Sequence, residues 1–221
     1  MGDEPIDVEF QRWLNPPKDR SGRAAAGTTP LEVSADDDAT KGAVGPGEMA
    51  PPVRVDTDSA AKLVLVAARM AAGFFRPTRS TSVVWVEGDS ELAVDVRAVR
   101  LALDLGRVDL TLPVRCDQTG PAEVVVTFAV GRPDRPAGVY AATARRPTGP
   151  QLIVDAWGDA LVAFAWDVLL TLAAQLAGAR GKDARGNLLV PADMAVTREA
   201  LVIAPMGRFR FAGQSGLGGT P

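Results

Sequence analysis

The chain has 221 residues, 47% of them hydrophobic, a formal net charge of −3, no histidine and a single cysteine, Cys116. That inventory excludes an intrachain disulfide, a zinc site built from His and Cys, and any triad or general base that needs imidazole. It supplies enough apolar material for one well-packed domain with tails, and the lone cysteine points to a reducing compartment, the cytoplasm.

The charge is unevenly spread. Residues 1–50 hold ten acidic and five basic side chains, and residues 51–221 hold seventeen and nineteen. Neither part is basic enough to mark nucleic acid as the main partner. Arginine is far commoner than lysine, and Ala, Val and Gly abound, a bias typical of a GC-rich bacterial genome. The N-terminus lacks the charged region and apolar run of a secretory signal peptide.

Residues 1–50 read as a disordered acidic tail, rich in Pro and Gly, that cannot bury enough surface to fold alone. One apolar motif interrupts it at 6–14. Ile6, Phe10, Trp13 and Leu14 fall at i, i+4, i+7 and i+8, the anchor spacing of a short helix that docks into a groove. These four are the candidate partner-binding residues, in cis on the chain's own domain or in trans on another. Asp36, Asp37 and Asp38 lack further ligands and read as a solvated charge run.

A single α+β domain is expected over 51–212. Asp58 or Ser59 can cap a helix reaching about Phe75, where Arg76-Pro77 ends it. The period then becomes two. Val83–Val86, a turn at Glu87–Ser90, and the run from Leu92 to Leu105 give two strands, the second with a phase slip at Ala98 that suggests a bulge. Val108–Val114, Val124–Val130, Val139–Ala144 and Gln151–Trp157 complete a roughly six-stranded, mainly antiparallel sheet. Gly158–Gly178 is the longest helical pattern. Its polar residues Asp159, Asp167, Thr171 and Gln175 share one narrow face and almost every other position is apolar, so it must be covered on several sides. The roughly 20 residues a bilayer needs are present. Asp167 near the centre would cost on the order of 3 kcal/mol there, which favours a core helix. A C-terminal strand pair at 188–190 and 199–204 follows, then an alternating Arg208–Phe211 and a flexible Gly-rich end, 213–221.

The chemical motifs are weak. Asp155 and Asp159 fall where strand meets helix, and read as helix caps more readily than as ligands for Mg²⁺. Gly178–Asp183 misses the spacing, the Ser/Thr and the preceding strand of a phosphate loop. Arg132, Arg135, Arg145 and Arg146 flank two successive turns and are candidate anion-binding residues. Cys116 has no histidine to activate it. No metal and no cofactor is expected. The reading is a non-catalytic assembly or adaptor subunit, a homo-oligomer or part of a larger assembly, acting through its N-terminal arm. The alternative is an apolar small molecule held between sheet and helix, and an enzyme ranks third.

Overall fold

The computed structural model describes residues 44–74, 81–131, 142–143 and 146–209. Within them the chain is mixed α+β, with two helices and two antiparallel sheets.

β1 (Val53–Asp56) buries Val53 and Val55 and leads directly into α1 (Thr57–Ala71). The cap is neither Asp58 nor Ser59. Asp56 caps the helix, its carboxylate accepting from the Ser59 N–H at 2.8 Å. The far end stops at Ala71, short of Phe75. Gly73 takes a φ of 77° there, and the N–H groups of Gly73 and Phe74 return to the carbonyls of Met70 and Arg69. A left-handed glycine with this bond pair ends a helix before any proline is needed.

The larger sheet contains β2 (Ser82–Glu87), β3 (Ser90–Asp95), β4 (Arg100–Asp104), β5 (Arg107–Cys116), β6 (Gly120–Ala129) and β7 (Ala142–Thr143). The strands run β2-β3-β5-β6-β7, with β4 also on β5. The phase slip at Ala98 proves larger than a bulge. Residues 96–99 leave the ladder as a turn, tied by Arg97 N–H to the Asp95 carboxylate at 3.0 Å. β3 and β4 therefore lie end to end along one edge of β5, with Val94 opposite Val114 and Arg100 opposite Thr111. Along β5 the alternation is complete: Val108, Leu110, Leu112, Val114 and Cys116 are buried, and the residues between them are not. Phe128, Val126 and Val124 of β6 stand opposite the first three.

Gln151–Trp157 is helix, where the sequence pattern read strand. α2 runs from Gln151 to Ala179 without a break. Leu152, Val154 and Ala156 would share a strand face, yet Leu152 is 62% exposed while Ile153, Val154 and Trp157 are buried. That spacing belongs to a helix. Asp155 and Asp159 thus lie inside α2 and cap nothing. The N-cap is Pro150, with no side-chain cap bond.

β8 (Val190–Val196) and β9 (Ala200–Met206) form the C-terminal pair. β1 adds to β9, making a second sheet β1-β9-β8. The two sheets meet at a corner where Gly106 N–H donates to the Val196 carbonyl and Val196 N–H to that of Gly131, both at 3.0 Å. Val44–Ala50 is laced to the same sheet, Gly47 N–H donating to the Gly207 carbonyl and Ala50 N–H to that of Pro205.

The helices pack on each other, and α2 touches β5 and β6 of one sheet and β8 and β9 of the other. Phe164 and Trp166 leave α2 about 200° apart. Phe164 meets the Trp85 ring edge-on at 5.9 Å, and Trp166 meets Phe128 at 5.7 Å. The larger sheet thus grips the helix from β2 on one side and β6 on the other. Beyond the exposed first turn at Gln151 and Leu152, only a stripe through Asp155, Ala156, Asp159, Ala163, Asp167 and Ala174 stays exposed. α2 is long and apolar enough to cross a membrane by length and composition, but its apolar flanks are covered by protein. Leu169 and Leu172 are fully buried. Leu169→Ala and Leu172→Ala should each lower the free energy of unfolding by about 2–5 kcal/mol in a denaturant titration. A loss below about 1 kcal/mol at both would mean these sites are not core.

Candidate functional site

Of the candidate anion-binding residues, only Arg146 lies among the described residues; Arg132, Arg135 and Arg145 lie outside them, as do Ile6, Phe10, Trp13 and Leu14. Arg146 is bound to Asp155, whose carboxylate also accepts from the Gln151 amide at 2.8 Å. The Gln151 bond, then Arg146, holds Asp155 below the usual carboxylate range. The guanidinium already has an anionic partner on α2, though both side chains remain about half exposed.

The loop after α2 resembled a misplaced phosphate loop, and its geometry explains why it is not one. Asp183 turns inward and is buried. One carboxylate oxygen accepts from the Arg185 and Asn187 N–H groups, each at 2.9 Å, and the Asn187 side-chain amide closes on both oxygens. The backbone donors a phosphate would need are taken by an internal carboxylate. Burial works to raise the Asp183 pKa, but the bonds from Asn187 and Arg185 outweigh it and the net shift is down. The loop also binds the start of the domain, Ala184 N–H donating to the Val44 carbonyl at 2.9 Å.

The other shifted carboxylates move the same way. Burial opposes the shift at Asp56, and the Ser59 bonds carry it downward. At Asp104 the Leu105 N–H, then Arg198, lowers it. A general acid near neutrality needs the opposite shift. Among the described residues no three His, Cys, Asp or Glu side chains come together in a metal-binding group. Cys116 is 4% exposed at the end of β5, opposite Leu92 and Gly120.

Two surface features remain. The first is an open groove of about 650 Å³ on the outward face of the larger sheet, lined by Ser82, Ala93, Asp95, Pro113, Arg115 and Glu123 among others. Register explains it: Ser82 pairs with Asp95, Ala93 with Arg115, and Pro113 with Glu123, so these side chains share one face. Arg100 closes on Glu123 at 2.6 Å nearby. The groove is open and charged, unlike an enclosed apolar site.

The second is β2. It is an edge strand, bonded only to β3 among the described residues. Val84 and Val86 project from it 48% and 70% exposed. Neither was singled out from sequence, although the signal was there. Ser82-Val83-Val84-Trp85-Val86-Glu87 is apolar on both faces, whereas β3 alternates. A strand apolar on both faces expects cover on both.

Comparison with protein-family models, with curated proteins and with solved structures returns no match.

A lowered carboxylate pKa adds stability above its unfolded value of about 3.9, and that stability is lost as the pH falls through the folded value. The melting temperature should therefore hold steady from about pH 8 to pH 5 and fall below about pH 4. Asp183→Asn should melt lower than the native chain at neutral pH, with the gap narrowing as Asp183 protonates. A gap that stays constant down to pH 3 in circular-dichroism melts would show that the loop bonds do not depend on the charge.

Proposed function

We propose that the chain is a non-catalytic assembly or adaptor subunit that acts through protein–protein contacts, with the N-terminal 6–14 motif as a docking arm. The observation that carries this reading is the β2 edge. Its valines, 48% and 70% exposed, sit on a strand with an open side among the described residues. Soluble proteins normally blunt such edges with lysine, proline or a bulge. β2 has none of these in Ser82–Glu87.

The polar groups support the same reading by where they are spent. Asp56 caps a helix, Asp155 binds Arg146, and Asp183 organises a loop. Asp109 takes Arg107 and the Thr127 hydroxyl, the latter at 2.6 Å. Each is committed to holding the fold together. The alternative, an apolar ligand between sheet and helix, gains nothing from the outer-face groove, which is charged and on the opposite side of the sheet. An enzyme reading gains nothing from Asp155 and Asp183, whose pKa values are held down.

The test is the mass of the protein in solution, by light scattering coupled to size exclusion, read with any co-purifying protein. A species heavier than the 23.1 kDa chain is expected. Removing residues 1–43, which stops short of the Val44 contacts, should shift the melting temperature by less than about 4 °C, the equivalent of about 1 kcal/mol, while abolishing capture of any partner held by the arm. A single-chain mass at every concentration, with nothing bound, would contradict the proposal.

A further inference from the structure

Hydrogen bonding along β2 is decided by parity. Glu87 and Ser90 flank a two-residue turn, and six residues further back Val96 donates its N–H to the Thr81 carbonyl at 2.9 Å. In an antiparallel ladder only alternate residues bond to a given neighbour. The odd-numbered residues of β2 therefore bond to β3, and Val84 and Val86 aim their N–H and C=O groups at the side left open among the described residues. The exposed valine side chains and the outward backbone groups belong to the same two residues.

We propose that β2 pairs antiparallel with β2 of a second copy of this chain, about a two-fold axis at Trp85. The inference rests on the assembly reading and names its partner. A two-fold axis perpendicular to the sheet keeps each face on its own side, so a residue meets one of the same parity. Centring the pair on Trp85 sets Val84 opposite Val86 of the second copy, twice, in pairs that exchange both backbone bonds. It also sets Trp85, half-buried against Phe164, beside its own counterpart, so the open part of each indole is covered. A register centred on Val84 would instead put Val86, the more exposed valine, against Ser82.

Charge favours the same arrangement. Glu87 is the one charged residue of the strand. Antiparallel self-pairing sends the two Glu87 side chains to opposite ends of the ribbon, each opposite Val83, whereas parallel pairing would place them abreast at a cost. The strand is thus complementary to itself in backbone bonds, in valine pairing and in charge. The result is one continuous sheet running through both subunits, with α2 of each on the same side.

Sedimentation equilibrium on the full-length chain tests this. The native protein should have twice the 23.1 kDa mass. Val84→Pro removes an outward N–H without touching the β3 ladder. Val86→Lys places a cation opposite Glu91, its β3 partner, and so suits the isolated subunit. Each should raise the dimer dissociation constant roughly tenfold or more, the equivalent of one or two net hydrogen bonds or their packing, with the melting temperature of the subunit retained. A register check comes from mixing Val84→Cys with Val86→Cys. These positions would stand about 5.5 Å apart at Cα, within disulfide reach, and Cys116 is buried. The mixed disulfide should dominate over either self-linked product.

If Val84→Pro and Val86→Lys both fold and leave the assembled mass unchanged, β2 pairing is overturned while the assembly reading stands. A native chain that is monomeric but binds a different protein has the same consequence. A monomer that binds nothing overturns both. Self-linked Val84→Cys as the main product overturns the Trp85-centred register.

Discussion

The fold depends on covering one helix. α2 presents large apolar side chains on nearly every side, and Leu161, Leu169, Leu172 and Leu176 are fully buried. Each such leucine is worth about 1.5–3 kcal/mol in burial. No single sheet face reaches round that circumference. The chain meets the demand with one sheet that reaches α2 through Trp85 and Phe128, a second sheet that packs on it through β8 and β9, and α1 alongside. The corner bonds at Gly106, Gly131 and Val196 fix the two sheets to one another. Neither sheet has a complete core without the helix, so the domain is expected to open as one unit.

Among the described residues, the carboxylates with hydrogen-bond partners act as local pins. Asp56, Asp109, Asp155 and Asp183 each accept from a neighbour that holds a cap, a strand pair, a helix start or a loop in place. The surface left with unmet physical demand is different in kind. The backbone edge and valine pair of β2 are one such place, where the apolar sequence lacks cover among the described residues. The assembly we propose through that edge would obey the same logic that wraps α2.

Much of this was legible in the sequence, and the failures have specific causes. Val108 to Val114 alternates cleanly, so β5 and its partner are readable, and Asp159 and Asp167 of the polar stripe of α2 lie on its exposed side, with Thr171 and Gln175 half-buried. Gln151–Trp157 misled because Leu-Ile-Val-Asp-Ala-Trp fits period two over a short window as well as it fits a helix. β1 was missed since four residues, Val53–Asp56, make a strand only by pairing with β9 from the far end of the chain. The two apolar faces of β2 are legible in the sequence, but its place at the sheet edge is not, for a related reason. Its strand was evident, but which strand lies outermost depends on the non-sequential β3–β5 pairing. The sequence places Asp183 in a failed phosphate loop, and nothing in it says that a loop carboxylate will turn inward. Of the site residues chosen from sequence, Arg146 alone lies among those described, and its Asp155 partner came into reach through the early helix start.

Native-state hydrogen exchange on the amides of α2 tests the central claim most directly. If this helix is the element around which both sheets close, the amides from Leu161 to Leu176 should exchange only through global unfolding, with the same free energy as those of β5 and β6. Exchange of that stretch through a smaller, local opening, while the sheet amides stay protected, would show that the sheets hold together without it.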